Sequence, residues 1–226
     1  MMRLSVSMNP REMRLGWLLM ALQLRVLPLV LVAANDLLQL RLTDAELNFT
    51  MFCMNFALTW FVFHRYLWQS LQVFVRDIWR SLRFAVWGFG IQYVATLLLG
   101  MLIAHVFPDF SNVNNDHILS MADEQFTLMA LGVVLLVPVT EETLYRGLIF
   151  RGLHRKSRLL AYAVSMTVFS AIHIVGYLGS ASWQTLAIAF VQYLPAGFAL
   201  AWAYERTDSV WTGILIHMTV NQLAFR

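Results

Sequence analysis

Charged residues are scarce in this sequence, and cysteine is nearly absent. Of its 226 residues, 13% are charged and 59% are hydrophobic, whereas soluble domains average roughly 25% charged and 45–50% apolar residues. The single Cys53 excludes an intramolecular disulfide framework, and we interpret it as a small packing residue. The composition predicts an integral membrane protein.

Internal repeats, low-complexity tracts and linkers are also lacking, so we expect one membrane domain over residues 1–226. The net charge of +3 and the pI near 9.3 could indicate nucleic-acid binding. However, the basic residues lie between apolar segments, where membrane topology explains them better. We therefore expect membrane lipids as partners, and no nucleic acid.

Long apolar segments predict an all-α polytopic transmembrane bundle of about seven to eight spans. The first follows a basic N-terminus, but it exceeds the roughly 7–15 apolar residues of a signal peptide and contains Pro28, so we favour a retained span. Residues 69–83 are predicted to form an amphipathic helix at the interface, or an eighth span. The seven predicted spans cover residues 15–40, 47–68, 84–107, 125–150, 159–178, 183–204 and 210–225.

The distribution of basic residues predicts the orientation of the bundle. Arginines and the lysine are concentrated in the N-terminus, in residues 69–83 and in residues 151–158, which all fall on one side of the predicted topology. Residues 108–124 fall on the other side, contain no Arg or Lys, and are predicted to form a polar loop. The basic side is expected to be cytoplasmic.

Two adjacent acids, Glu141 and Glu142, lie within the fourth predicted span. A carboxylate at a bilayer centre costs roughly 2.5–3.5 kcal/mol, and intramembrane acids usually face a partner or a water-filled cavity. Glu142 and Arg146 stand at i and i+4, the spacing of a helical ion pair. Glu141 points about 100° away around the helix and has no cation close in sequence, so it is the candidate for chemistry.

Two later spans carry polar residues in suggestive pairs. His173 follows Phe169 by four residues, and Asn221 follows His217 by four, so each pair shares a helix face. At about 1.5 Å per residue, Glu141, His173 and His217 lie roughly 13–22 Å from the nearest charge on the predicted cytoplasmic side. The hydrocarbon core is about 30 Å thick, so a bundle can bring these groups to one cavity.

A carboxylate, two imidazoles and an amide at membrane depth are suited to peptide hydrolysis. Glu141, assisted or oriented by His173, can take a proton from a water that attacks a peptide carbonyl. His217 and Asn221 can donate hydrogen bonds to the oxyanion. Glu141, His173 and His217 also permit a zinc site, although no H-E-x-x-H pattern demands one.

Each motif also has a purely structural interpretation. Glu141 and Glu142 could cap and solvate a helix end, and His173, His217 and Asn221 could form hydrogen bonds between helices. Buried Glu and His residues also form proton relays in transporters. The sequence lacks the repeated halves that are typical of many transporters.

Three motifs in this order on successive spans resemble those of the CPBP family, which comprises CAAX prenyl-endopeptidases of the Rce1 type and the related bacterial Abi, or bacteriocin-processing, proteins. The resemblance covers a core of roughly residues 125–226, after the N-terminal spans and interfacial helix of residues 1–124. It implies that Glu141 is a base working with His173. It also implies that His217 and Asn221 form the oxyanion site. Glu142, Arg146 and Phe169 are implied to support that site.

The resemblance implies an intramembrane endopeptidase that is either glutamate-type or zinc-dependent and opens toward the cytosol. We expect a multi-pass protein of a bacterial cytoplasmic membrane, with its N-terminus on the cytoplasmic side. Its substrate would be a membrane-associated peptide or protein at the cytoplasmic leaflet. The alternative within the same family is a non-catalytic bacteriocin-immunity or scaffold protein.

Overall fold

The computed structural model describes residues 4–225, except for the side chain of Arg25. Arg3 of the basic N-terminus and the outermost ends of the predicted domain lie outside the described residues. The described chain is helical, with no strand beyond an isolated bridge between Leu178 and Ala181, which confirms the all-α class. Its α-helices are α1 (Pro10–Ala21), α2 (Leu27–Leu37), α3 (Asp44–Arg76), α4 (Ile78–Val106), α5 (Val113–Ala130), α6 (Val137–Glu142), α7 (Arg151–His154), α8 (Arg158–Val175), α9 (Trp183–Thr207) and α10 (Val210–Ala224).

Three π-helical segments join some of these helices without a turn. Leu22–Val26 links α1 to α2, Leu131–Leu136 links α5 to α6, and Thr143–Phe150 links α6 to α7. The acid motif therefore begins in α6 and continues into π-helix. Because π-helical turns are rare and occur frequently at functional sites, their position directs attention to residues 131–150.

The predicted polar loop over residues 108–124 is wrong for most of its length. Helix α5 begins at Val113, because the Asn112 side chain accepts hydrogen bonds from the backbone N–H groups of Asn114 and Asn115. The backbone breaks instead at Gln125, which has non-helical φ and ψ values of −140° and 66°. The part of α5 before Gln125 is therefore inclined to the apolar helical segment after it.

The predicted amphipathic helix over residues 69–83 is also wrong. Residues 69–76 are the last turns of α3, and residues 78–83 are the first turns of α4. Asp77 separates them with φ and ψ of −129° and 62°, and its side chain accepts a hydrogen bond from Arg80 N. An N-cap in the middle of the segment thus divides it between two long helices.

Four helical runs are long and apolar enough to cross a membrane, among the residues that the structure describes: residues 78–106, 113–154, 158–175 and 183–207. A fifth is counted if the pair Pro10–Leu24 and Leu27–Leu37, bent by 48°, forms one span. The predicted seven to eight spans are not confirmed. Helix α10 has 15 residues, which is about 22 Å of helix against a core of about 30 Å.

Side-chain contacts define two ends of the bundle. One end, called the basic end, comprises the turns around Asp77, residues 155–157 and residues 208–209. There Arg80 donates a hydrogen bond to the Arg206 carbonyl, and Ser209 donates one to the Ser70 carbonyl. At the far end, which comprises residues 38–43, 107–112 and 176–182, Gln125 donates to Thr43 Oγ1. The basic N-terminus, residues 76–83 and residues 151–158 therefore lie at one end, as the sequence predicted.

Candidate active site in the C-terminal half

Glu142 and Arg146 form the predicted ion pair in the centre of the bundle. Arg146 Nη1 lies 2.9 Å from Glu142 Oε1, and both side chains are completely buried. Arg146 also donates from Nη2 to the carbonyl oxygen of Gly197 at 3.3 Å, and its guanidinium lies 4.6 Å from the centre of the Phe169 ring. These contacts join three helical segments through one cation.

His217 completes this buried group from α10. Its Nδ1 lies 3.1 Å from Glu142 Oε1, so one carboxylate oxygen contacts both Arg146 and His217. Gly213, one turn earlier on α10, permits this approach, since a Cβ atom there would lie 2.7 Å from Glu142 Oε2. We call Glu142, Arg146, Phe169, Gly213 and His217 the packed layer.

A cavity of about 410 Å³ lies beside the packed layer. Glu141, His173, His217 and Asn221 all line it, so α6, α8 and α10 bring the four predicted catalytic residues to one space. Glu141 Oε2 is buried and makes no hydrogen bond within the described part of the chain. Glu142 Oε2 is likewise buried without a partner, so Glu141 differs from its neighbour in lining the cavity and in lacking the contacts to Arg146 and His217.

The His173 ring is held on two sides. Its Nδ1 lies 2.7 Å from the carbonyl oxygen of Phe169, and because a carbonyl only accepts, Nδ1 carries the hydrogen. Nε2 is then the lone-pair nitrogen of the neutral ring. Tyr193 stacks on the other face, with ring centres 4.2 Å apart and planes inclined by 28°. The ring is thus oriented as a hydrogen-bond acceptor.

Tyr193 is a site residue that the sequence analysis missed. Its hydroxyl donates to Asn115 Oδ1 at 2.9 Å and accepts from Asn114 Nδ2 at 3.0 Å, which ties α9 to the start of α5. Asn114 and Asn115 also line the cavity. The only sequence signal was the polar character of residues 112–116, which pointed to a loop rather than to a wall of the site.

Asn221 connects α10 to the segment that precedes α6. Its Nδ2 donates to the carbonyl oxygen of Val133 at 2.8 Å, within the π-helical segment before α6. One N–H of the amide remains beyond this bond. The contact holds α10 against the segment that carries Glu141.

The cavity reaches the surface away from the basic end. Its exposed lining residues are Leu24, Asn115, His117, Val175 and Gly176. Beside them, Tyr177 accepts or donates a hydrogen bond with His117 Nδ1 at 3.1 Å, and burial raises the pKa of the Tyr177 hydroxyl. The opening and the basic end lie at opposite ends of α8, whereas the sequence analysis placed both on the cytoplasmic side.

A zinc site would need several ligands at one point. Glu141, His173 and His217, the three candidate ligands, share the cavity, but within residues 4–225 no group of three or more His, Cys, Asp or Glu residues is placed to hold a metal ion. One imidazole nitrogen of each histidine is already engaged, by the Phe169 carbonyl and by Glu142. The described side chains therefore do not fit a three-ligand centre.

Comparison with known proteins agrees with the position of this site. Residues 123–223 match the family model described as "Type II CAAX prenyl endopeptidase Rce1-like". "Putative membrane peptidase YdiL" of Bacillus subtilis (strain 168) is 25% identical over 142 residues, which are 62% of this chain and 54% of that protein. "UPF0177 protein YxdF" of Lactococcus lactis subsp. lactis (strain IL1403) is 27% identical over 139 residues, or 60% of this chain and 72% of that protein.

The chain spans about half the length of YdiL, the first of these relatives. No solved structure matches it. All three motifs, from Glu141 to Asn221, fall within the matched residues 123–223. The resemblance indicated by the motifs is thus confirmed for residues 123–223, and this integral membrane protein carries a region that matches the Rce1-like family model.

Proposed function

We propose that this protein is an intramembrane endopeptidase, in which Glu141 and His173 activate a water molecule for attack on a peptide bond. The observation that carries the proposal is the meeting of Glu141, His173, His217 and Asn221 around one cavity, although they come from three helices. The matched family model is described as an endopeptidase, and one relative is named as a membrane peptidase. Both descriptions favour hydrolysis over transport.

Glu141 is proposed as the general base. In its ionised form it takes a proton from the cavity water, and the hydroxide formed attacks the carbonyl carbon of the substrate. Its side chain lines the cavity, where a water can reach the carboxylate. When the C–N bond breaks, the same proton passes to the leaving amine, so the residue returns to its starting state.

His173 is proposed to hold the attacking water. With Nδ1–H donated to the Phe169 carbonyl, Nε2 accepts a hydrogen bond from the water and orients it toward the substrate carbonyl. The Tyr193 ring stacked on His173 fixes the plane of the imidazole. His173 is thus a catalytic residue in this proposal, and Tyr193 is a positioning residue.

His217 and Asn221 are proposed to stabilise the oxyanion, with His217 acting as the doubly protonated imidazolium, which donates from Nδ1 to Glu142 and from Nε2 to the oxyanion. Each has one polar atom engaged by the protein, His217 with Glu142 and Asn221 with Val133, which fixes its direction before substrate arrives. Donors fixed in this way are worth more than mobile ones, because they need no reorganisation as charge develops. The other residues of the packed layer support His217 on the side away from the cavity.

The proposal is tested with the full chain purified into lipid. Wild type, Glu141→Gln, His173→Ala and His217→Ala are each incubated with a library of membrane-anchored peptides, with and without a chelator, and products are identified by mass spectrometry. Asp109→Asn and His105→Ala are matched controls, since both residues are exposed and neither lines the cavity. We expect products from wild type and controls only.

Three results would contradict this mechanism. Products that persist in Glu141→Gln would remove Glu141 as the base. An absence of wild-type products, together with a cellular phenotype that survives Glu141→Gln, would favour the immunity or scaffold function. Loss of products in chelator would instead assign the water activation to a bound metal.

A further inference from the structure

Positive charge is concentrated at the basic end of the bundle. Exposed cations there belong to the N-terminal helix, the α3–α4 turn, the α7–α8 turn and the end of α9; they are Arg11, Arg14, Arg76, Arg83, Arg155, Lys156, Arg158 and Arg206. At the turns of the far end, Arg41 is the one Arg or Lys among the described residues. By the positive-inside rule, the basic end is cytoplasmic.

Packed side chains lie between the cavity and the basic end. His154 Nε2 lies 2.9 Å from Glu205 Oε1, and Arg158 and Tyr162 also donate to Glu205, at 2.7 and 2.8 Å. Phe150 packs against the rings of His154, Tyr162 and Tyr204, and it is completely buried. Together with the packed layer, this cluster separates the cavity from the cytoplasmic end.

The opening of the cavity lies at the opposite end. Asn115, His117, Val175 and Gly176 are exposed and line the cavity, and they sit at the start of α5 and the end of α8. Helix α8 runs from Arg158 to Val175 over 18 residues, a length of about 27 Å. That length is close to the bilayer core of about 30 Å, so the opening and the basic cluster lie at opposite faces.

A second route into the cavity runs sideways. Leu24 lines the cavity and is 38% exposed, in the π-helical segment between α1 and α2. This exposed apolar side chain faces lipid in a membrane-embedded bundle. A peptide segment anchored in the outer half of the bilayer can therefore approach the site without first leaving the membrane.

We infer that the cavity opens into the extracytoplasmic half of the membrane. If the proposed peptidase function holds, the substrate is then a membrane-anchored peptide or protein whose cleaved segment lies in or just outside that half. A lipidated tail on the cytoplasmic face would meet the basic end of the bundle. The side of opening rests on geometry and charge alone, and only the substrate class rests on the proposed function.

The side of opening is tested by cysteine labelling in cells, without any substrate. In a Cys53→Ala background, His117→Cys reports the opening and Lys156→Cys reports the basic end. A membrane-impermeant maleimide is applied to intact spheroplasts and to inside-out vesicles. We expect His117→Cys to react in spheroplasts and Lys156→Cys in vesicles, while both react in detergent, which shows that each thiol is reactive once the membrane barrier is removed.

The reverse labelling pattern would overturn the inference, as would equal labelling of both cysteines from both sides. A cleavage assay then tests the substrate class. Anchored peptides presented on the outer face of spheroplasts are expected to be cut, whereas the same peptides presented on inside-out vesicles are not. Cleavage from the cytoplasmic face alone would refute the substrate class while leaving the peptidase intact. The expected labelling without cleavage from either side would refute the peptidase and leave the orientation standing.

Discussion

Glu141 and Glu142 are neighbours in the chain but belong to two different regions of the molecule. Glu142 is completely buried in the packed layer, and its Oε1 contacts both Arg146 and His217. Glu141 lines the cavity, and its buried Oε2 makes no hydrogen bond within the described residues. One acid is held by charge partners, whereas the other is left available.

The difference shows how a membrane bundle can hold two carboxylates for separate purposes. Burying a charge is costly unless it is paired and hydrogen-bonded, and Arg146 and His217 supply that pairing to Glu142. Glu141 has the cavity instead, where water or substrate can solvate it. We therefore expect the same substitution to have different consequences at the two positions.

Glu141→Gln should give the largest change, and the change should be confined to activity. Removing a general base costs about 100- to 10,000-fold in rate, while the amide keeps the shape of the side chain. The rate of peptide cleavage and the free energy of unfolding in mixed micelles are measured on one preparation. A large loss of stability in this variant would break the comparison.

Glu142→Gln should act mainly on stability. Breaking a buried ion pair by removing one partner costs about 3–5 kcal/mol, because Arg146 is left uncompensated. Denaturant unfolding measures the change, and the exposed Asp109→Asn control should stay within about 0.5 kcal/mol of wild type. If Glu142→Gln unfolds like wild type, the packed layer does not stabilise the bundle in the way described.

Gly213→Ala tests the closeness of α10 to the packed layer. The added methyl group would lie 2.7 Å from Glu142 Oε2, and this oxygen cannot easily move while Oε1 is held by Arg146 and His217. Overpacking of this kind costs about 1–3 kcal/mol. Gly90→Ala is the matched control, since a Cβ there has open space and replacing a helical Gly by Ala stabilises by roughly 0.5–1 kcal/mol. Thermal unfolding of the two variants should therefore shift in opposite directions.

Tyr193 gives the smallest predicted effect and tests the cavity side of the comparison. Tyr193→Phe keeps the ring on His173 but removes the hydroxyl contacts to Asn114 and Asn115, whereas Tyr193→Leu removes both. Aromatic stacking is worth about 0.5–1.5 kcal/mol, so Tyr193→Leu should lower kcat by about 2- to 12-fold. Tyr193→Phe should retain most of kcat. Equal losses of kcat in the two variants would show that the hydrogen bonds of the hydroxyl, and not the stacking of the ring, cause the effect.

Local patterns predicted the helical class, the membrane composition and the ion pair of Glu142 with Arg146, because these depend on residues close in sequence. The depth estimate also brought His173 and His217 toward one cavity. The pairing of Arg65 in α3 with Glu12, 53 residues away, was not predicted. No local pattern reports such a partner.

The same limit explains what was missed at the site. In the sequence, Tyr193 is one of several aromatic residues in an apolar segment, and only the fold places its ring on His173. In the sequence, nothing distinguishes Gly213 from a glycine that allows close helix packing, and only the fold shows that Glu142 is its neighbour. The opening at the far end depends on the path of α5 across the bundle. Helix α5 begins with a cap at Asn112, in a polar stretch whose composition predicts a loop.

The position of Glu141 beside the cavity has a consequence for how such chains would diverge over time. Since Glu142 is held by Arg146 and His217 while Glu141 borders the cavity, a lineage released from selection for chemistry could replace Glu141 at little cost to folding. Replacement of Glu142 or Arg146 would be purged even then. The residue at position 141 would thus indicate whether a lineage kept the reaction, whereas the residues at positions 142 and 146 would indicate only that it kept the fold.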